Sequence, residues 1–481
     1  MKTISKVKHK LKDIFRIYFD PFWEQNQKKY PVYLREQIQT QVEKMINCGD
    51  PQQGYIKYKC TKCGEEKAIG FTCKSRFCNS CGKRYSDEWS DKQKAKLWDV
   101  IHRHCVFTIP EEFRSYFFYH KESLKDLQDM AYQVIEETIN HVNKKNREKY
   151  DKKKRRKQKD LIWQTGMISV VHTFGRDLKY NPHIHALVPE IKIKGQELGK
   201  LNYFNYQSLR KTWQYKLTNY MIKKNPHRKK EYSTYYKRYP EGFYVYAEGK
   251  MKNAKKSAQY IGRYLARPAM AEHRIIDINQ DQITYWYIDH HSKEREEVQE
   301  SIESFMGKLV MHIPAKHQKL VRRYGIYAGR TGLSNKKKYG LLKYIQSEHQ
   351  RNYYTKISWW NAAAPKRNYR QRLIENFSKD PWQCDRCHGT MELWEIWHPK
   401  YGKLYEALPK SRDRREEPCM KKTNYPSPLE QTYQWSIYNF AANGADSKKE
   451  LTQTSSMKCA HQKTAISMET QQHYALSAME S

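Results

Sequence analysis

Apolar positions recur at helical spacing through the first fifty residues: Leu11, Ile14, Phe15, Tyr18 and Phe19, then Leu34, Ile38, Val42 and Ile46. Steps of three and four put these side chains on one face, which predicts two amphipathic helices that pack on the next domain. Gly49-Asp50-Pro51 ends the second. The run from Ile101 to Pro110 reads as a strand, as do Gly166 to Phe174 and His183 to Val188. The connection from Gly175 to Pro182 is too short for a crossover helix, so the last two runs form an antiparallel hairpin. Residues 121–143 and 205–225 read as helices, the second with Leu209, Trp213, Leu217, Tyr220 and Met221 on one side. Lys223 to Tyr239 reads as a basic, tyrosine-rich surface excursion, and Phe243 to Ala247 as a strand. Lys255 to Arg267 is a helix that stops before Pro268. Residues 283–288 add a strand, and 300–328 add two helices with His312-Ile313-Pro314 as the turn between them. After about residue 410 periodicity is lost and Ser, Thr, Gln, Lys and Met dominate, which predicts a disordered tail.

The pattern is that of an α+β protein, an antiparallel sheet flanked by helices. It divides into a helical and cysteine-rich domain (1–95), a central domain (100–330), a basic region (331–409) and the tail (410–481).

Composition supplies a partner. The 481 residues carry 90 Lys+Arg against 52 Asp+Glu, a net charge of +38, more than solubility requires and suited to a nucleic acid. The 38 Tyr and 12 Trp offer faces on which unpaired bases stack. The dense block Lys144 to Lys157 reads as a loop or solvated helix end that either tracks a nucleic-acid backbone or is disordered. No apolar run approaches the ~20 residues of a membrane span. Lys6, Lys8, Lys10 and Lys12 interrupt any signal-peptide core, so a cytoplasmic protein is expected, nucleoid-associated when bound to DNA. In that compartment the 11 cysteines read as metal ligands rather than disulfides.

Cys60 and Cys63 form one Cys-x-x-Cys pair and Cys78 and Cys81 another, with 14 residues between the pairs. Each pair can grip one metal from a tight turn, and Gly64 and Gly82 supply the backbone freedom such turns need. Together they predict one structural Zn²⁺ held as in a zinc ribbon, with Cys73 either a fifth thiol that exchanges with one of the four or, as the favoured reading, a spare buried cysteine. Lys74, Arg76, Lys83 and Arg84 around the second turn suit phosphate contact and equally suit a solvated rim. Cys384 and Cys387 make half of another site, for which His398 and Cys419 are the nearest partners in sequence.

The candidate chemistry lies in Asn181-Pro182-His183-Ile184-His185-Ala186-Leu187-Val188. Alternate residues of a strand share a face, so His183 and His185 stand side by side while Ile184 points into the core. This geometry suits a divalent metal, with His172, Asp177 and Glu190 as candidates for a further ligand. Alone it is equally what two half-exposed strand histidines look like. His102-Arg103-His104 repeats the spacing, and because a buried Arg103 would be costly that pair is expected near a sheet end. Downstream, Tyr260 and Tyr264 lie one turn apart on one helix face, with Arg263 and Arg267 on a neighbouring face. A metal that polarises a phosphodiester, a tyrosine that attacks phosphorus and an arginine that holds the phosphate form a coherent set.

These stretches resemble the HUH single-strand endonucleases and, more narrowly, the rolling-circle transposases of insertion-sequence family ninety-one. His172 to Val188 is similar to the family's His-hydrophobic-His signature, Tyr260 to Pro268 to its double-tyrosine helix, Cys60 to Cys81 to its zinc-binding domain and His104 to Pro110 to its first core strand. The resemblance covers roughly residues 10–400. It implies an HUH-type sheet and Tyr260 and Tyr264 as nucleophiles. It further implies a catalytic Mg²⁺ or Mn²⁺ at His183 and His185, structural zinc at Cys60, Cys63, Cys78 and Cys81, and Arg263, Arg267, Lys74 and Arg76 at DNA. The partners implied are single-stranded DNA at element ends and target DNA, with no membrane and no small-molecule substrate. An HUH replication initiator or relaxase would share the chemistry. A non-catalytic zinc protein that binds nucleic acid would account for the charge and cysteines, but not for the histidines and tyrosines together.

Overall fold

A computed structural model describes residues 11–328, 370–371, 374 and 380–407, except 95–96, 99, 143–144, 156–161, 196, 202–203, 252–253, 266–267, 280 and 290–291. The expected tail lies outside the described residues.

The two amphipathic helices are α1 (Leu11–Asn26) and α2 (Val32–Ile46). They bury Phe15, Phe19, Leu34, Ile38 and Val42, the face the periodicity selects. Strands β1 (Tyr55–Cys60) and β2 (Glu66–Gly70) pair as a hairpin that leads to α3 (Asn79–Lys94). The central domain runs β3 (His102–Phe107), α4 (Glu111–Tyr119), α5 (Leu124–Ile139), α6 (Arg147–Arg155), β4 (Gly166–Phe174) and β5 (Tyr180–Pro189). It continues with β6 (Ile191–Lys194), β7 (Glu197–Lys200), α7 (Tyr206–Lys224), α8 (Lys229–Arg238), β8 (Val245–Met251) and α9 (Ala254–Leu265). Strands β9 (Ile275–Asn279), β10 (Gln282–Ile288) and β11 (Arg295–Ser301) precede α10 (Ile302–Val310) and β12 (Val321–Gly325). The hairpin of β13 (Met391–His398) and β14 (Gly402–Glu406) comes last.

The central sheet has the order β12-β4-β5-β3-β8, antiparallel throughout. Strand alternation gives it two apolar faces. Met167, Val171, Ile184, Ala186 and Val188 face one core with α5 and α7. Ile168, Val170 and Leu187 face the other, against Trp89 of α3 and Ala258 and Ile261 of α9. Helix α9 can lie this close to α3 because residue 262 has no side chain. A Cβ on Gly262 would fall 1.9 Å from Ser90 Oγ and 3.2 Å from Ser90 Cβ. We expect Gly262→Ala to cost about 1–3 kcal/mol through overpacking and to lower the melting temperature. Adding Ser90→Ala, which removes the nearest atom, recovers part of the loss.

Two further cores surround the sheet. One joins α1, α2, α10 and the sheet β11-β10-β9 and takes in Cys78 and Cys81. The other is a small cluster under the sheet β14-β13-β1-β2.

One expectation is corrected and two are sharpened. Residues 321–325 form β12, not a second helix, because β4 presents an open edge that they pair with from Val321↔Val170 to Gly325↔Gly166. The excursion after residue 223 contains α8, whose Tyr232 and Tyr235 are buried in the central core. Much of the basic block is α6, held by Tyr150 Oη and Arg147 Nη2 donating to Glu136 and Glu137 and by Lys154 on Glu136. The late β13–β14 hairpin pairs with β1 and so completes the amino-terminal sheet. Among the described residues no helix is long and apolar enough to cross a membrane.

Candidate active site

The site forms at one end of the sheet face that α3 and α9 cover. Antiparallel register sets His172 of β4 opposite His183 of β5, and Val106 of β3 opposite His185. Opposite residues share a face, so three imidazoles converge without any loop to place them. His172 Nδ1 lies 3.3 Å from His183 Nε2, which lies 3.1 Å from His185 Nε2. His183 Nδ1–H donates to Asn181 O at 2.6 Å, which leaves Nε2 as the lone-pair nitrogen. Nitrogens about 2.1 Å from a metal stand roughly 3.0–3.4 Å apart in octahedral or tetrahedral coordination, so the donor set fits a divalent ion. Burial pushes His183 down to about 4, so the ring is neutral at neutral pH and its lone pair is available.

A fourth histidine extends the cluster. His104 of β3 lies edge to edge with His185, the ring planes 9° apart, and its Nε2 is 2.9 Å from His185 Nδ1. Its other nitrogen, Nδ1, is 3.3 Å from Tyr260 Oη of α9, the two rings meeting edge to face. Burial, with a smaller contribution from His183, pushes His104 down to about 4. Tyr260, His104, His185, His183 and His172 thus form one continuous chain of polar contacts.

The expectation that the His102–His104 pair sits near a sheet end is corrected. Strand β3 lies inside the sheet, and Arg103 is buried because Glu190 neutralises it, through Nε at 3.1 Å and Nη2 at 2.5 Å, while Nη1 donates to Ala247 O. Glu190 is therefore engaged away from the histidines, and Asp177 accepts from Lys179 N in the β4–β5 turn. Of the three candidates for a further ligand, His172 is the one at the site. His102 Nδ1–H donates to Val100 O at 2.9 Å and its Nε2 lies 2.6 Å from Tyr327 Oη, which satisfies the neutral ring. Burial lowers it from 6.5 to about 4. Between these values the unfolded chain takes up a proton that the native ring refuses, so stability falls as pH drops from 6.5 to 4. We expect His102→Gln to flatten that part of the melting-temperature profile.

Of the other predicted residues, Tyr264 and Arg263 lie on α9, and Arg267 is outside the described residues. Arg76 donates to Tyr85 Oη at 3.1 Å and lines a cavity with Asn79, His172, Thr173 and Met270. Lys74 is exposed, in a left-handed turn with φ 53°.

The cysteines group differently from expectation. Cys60 and Cys63 do not meet Cys78 and Cys81. Cys48, Cys73, Cys78 and Cys81 form one cluster, and Cys60, Cys63, Cys384 and Cys387 another. Cys73 is a member rather than a spare, with its sulfur 3.6 Å from Cys81 Sγ, and Cys48 Sγ is 3.7 Å from the same atom. Zinc–sulfur bonds of about 2.3 Å give a tetrahedral S···S edge of roughly 3.8 Å, so this donor set also fits. The first cluster joins the end of α2 to the start of α3, which seats the cysteine-rich turn against the helical core.

Segments carrying these residues match known protein families. A family model described as "Transposase zinc-binding domain" matches residues 14–109, and one described as "Putative transposase" matches residues 166–337. The chain belongs to the transposases of insertion-sequence family ninety-one. Its relatives include the "Transposase for insertion sequence element IS801" of Pseudomonas savastanoi pv. phaseolicola, 26% identical over 313 residues, 62% of this chain and 72% of the relative. They also include the "Putative transposase y4qJ" of Sinorhizobium fredii, 22% identical over 426 residues, 80% of this chain and 94% of the relative. No solved structure matches. The transposase model spans both histidine strands and α9, and the zinc-binding model spans β3 and seven of the cysteines, Cys48 to Cys105. Zinc is thus a cofactor of this transposase, and DNA its partner.

Proposed function

We propose that this transposase nicks single-stranded DNA at the ends of its element and rejoins it through 5′-phosphotyrosine links, with Tyr260 as an attacking group. The observation that carries this reading is the contact chain from Tyr260 Oη through His104 to His185. A Mg²⁺ or Mn²⁺ ion at His172, His183 and His185 would polarise the phosphate and stabilise the departing 3′ oxygen. Tyr260 Oη bonds to phosphorus, the P–O3′ bond breaks, and the phenol's proton is balanced by the one the 3′ hydroxyl gains. The bond energy stays in the phosphotyrosine, so the strand can be rejoined without a nucleotide cofactor. Tyr264, one turn along α9, is the second nucleophile, and Arg263, Arg267, Lys74 and Arg76 hold the DNA backbone.

His104 is a positioning residue in this scheme. When His185 Nε2 serves as a ligand, its proton is on Nδ1 and is donated to His104 Nε2. The proton of neutral His104 then sits on Nδ1, aimed at Tyr260 Oη, where it favours the phenolate. His104→Ala should slow cleavage by about 10²-fold with DNA affinity unchanged, while His104→Gln, whose amide both accepts and donates, recovers part of the rate. Equal loss of affinity and rate in His104→Ala would mean a purely structural role.

The test is a labelled single-stranded end oligonucleotide incubated with the protein and Mg²⁺ or Mn²⁺. A denaturation-resistant adduct is expected, and it should vanish in Tyr260→Phe/Tyr264→Phe. An adduct that persists in the double variant overturns the assignment. Binding without an adduct for any end sequence would point to a non-catalytic zinc protein.

A further inference from the structure

We infer that Cys60, Cys63, Cys384 and Cys387 bind a second zinc ion, which clamps the late β13–β14 hairpin onto the amino-terminal sheet. Cys63 and Cys384 are 321 positions apart, yet their sulfurs lie 3.6 Å from one another, and Cys60 Sγ lies 3.5 Å from Cys387 Sγ. These separations are too long for a disulfide and match the tetrahedral edge of a tetrathiolate. Nothing in the family matches reaches Cys384 or Cys387, which lie beyond both matched ranges.

The backbone supplies an independent observation, because the two Cys-x-x-Cys turns share one conformation. In the first, Gly64 N donates to Cys60 O at 3.1 Å and Gly64 has φ +75°. In the second, His388 N donates to Cys384 O at 3.0 Å and His388 has φ +56°. A left-handed histidine is strained, and it stands in the same place as the first turn's glycine. Two matched knuckles facing each other make the usual frame of a four-cysteine zinc site. They are also tied to one another, since Thr61 donates to Thr390 O from both N and Oγ1 at 3.1 Å.

The clamp has mechanical work to do. Strand β13 pairs with β1 from Tyr55↔Trp397 to Cys60↔Met391, so the ladder runs directly into the two knuckles. Beneath it is a small buried core of Ile56, Tyr58, Met391, Leu393 and Ile396 with Cys60 and Cys384, against which Ile69, Phe71, Trp382 and Tyr405 pack half-buried. A core of this size stabilises a hairpin only modestly, and small units of this kind rely on a staple. Thiolate donors in tetrahedral array select zinc over the harder Mg²⁺ or Mn²⁺ of the histidine site. The clamp is separate from the Cys48, Cys73, Cys78 and Cys81 cluster, with which it shares no ligand.

Metal content of the full-length protein tests this after dialysis against a weak chelator. Two tightly held zinc ions per chain are expected, falling to one in Cys384→Ser/Cys387→Ser and to one in Cys78→Ser/Cys81→Ser. Cys387→His, which preserves a four-ligand set, should keep two. If the serine variants do not fold, the wild-type protein grown with Co²⁺ serves instead, with thiolate-to-cobalt absorption per chain equal to two tetrathiolate sites. Releasing the zinc with a mercurial should also expose the 391–406 hairpin to protease. One zinc per chain, one tetrathiolate's worth of cobalt absorption, or a hairpin equally protected with and without metal would each overturn the clamp.

Discussion

His185→Ala is expected to abolish strand cleavage while single-stranded DNA binding stays within about threefold of wild type. His185 has two tasks that no neighbour can take over. Its Nε2 completes the three-nitrogen set with His172 and His183, and its Nδ1 meets His104, the ring that contacts Tyr260. Losing the metal and the tyrosine's orientation together should lower the rate by 10³-fold or more, roughly 4 kcal/mol of barrier. Affinity for DNA rests on a surface of net charge +38 and should hardly change. His183→Ala should behave in the same way, whereas an equivalent fall in binding and melting temperature would make these histidines fold residues. The comparison uses adduct formation for the rate and filter binding for affinity, at one stated salt concentration.

The second large effect concerns stability. Glu190→Ala or Arg103→Ala should each cost about 3–5 kcal/mol, because either leaves an uncompensated charge inside the protein. The two side chains are only 3% and 6% exposed, and Arg103 also lies over the ring of Phe204 at 5.2 Å. Replacing both with apolar residues of similar volume, Arg103→Met/Glu190→Leu, should recover most of the loss, since the desolvation cost disappears with the charges. Chemical denaturation monitored by tryptophan fluorescence checks both. Single variants that melt like wild type would mean that the pair is accessible to water.

Much of the architecture is legible from periodicity. The helices at 11–46, the hairpin of β4 and β5 and the tyrosine helix follow from steps of three to four or of two. The rest depends on partners distant in sequence. His104 is hard to recognise as part of the site because Arg103 beside it looks unburiable. The neutralising Glu190 stands just past the end of β5, brought alongside by the β3–β5 register, which no local pattern reveals. The same holds for the cysteines. Spacing alone pairs Cys60 and Cys63 with Cys78 and Cys81, yet lone Cys48 and Cys73 complete one cluster and a pair more than 300 positions downstream completes the other. Val321–Gly325 shows the local limit, since five residues with two arginines carry no strand signal until β4 offers its edge. Tyr232 and Tyr235 lie in a stretch whose basic composition reads as a surface excursion, and they are core.

The most direct test of the phosphotyrosine mechanism is to digest the protein–DNA adduct and identify the modified residue by mass spectrometry. A nucleotide joined through phosphate to Tyr260, with Tyr264 as the alternative site, is the predicted result. A nucleotide on a serine, a cysteine or any tyrosine outside α9 would contradict it.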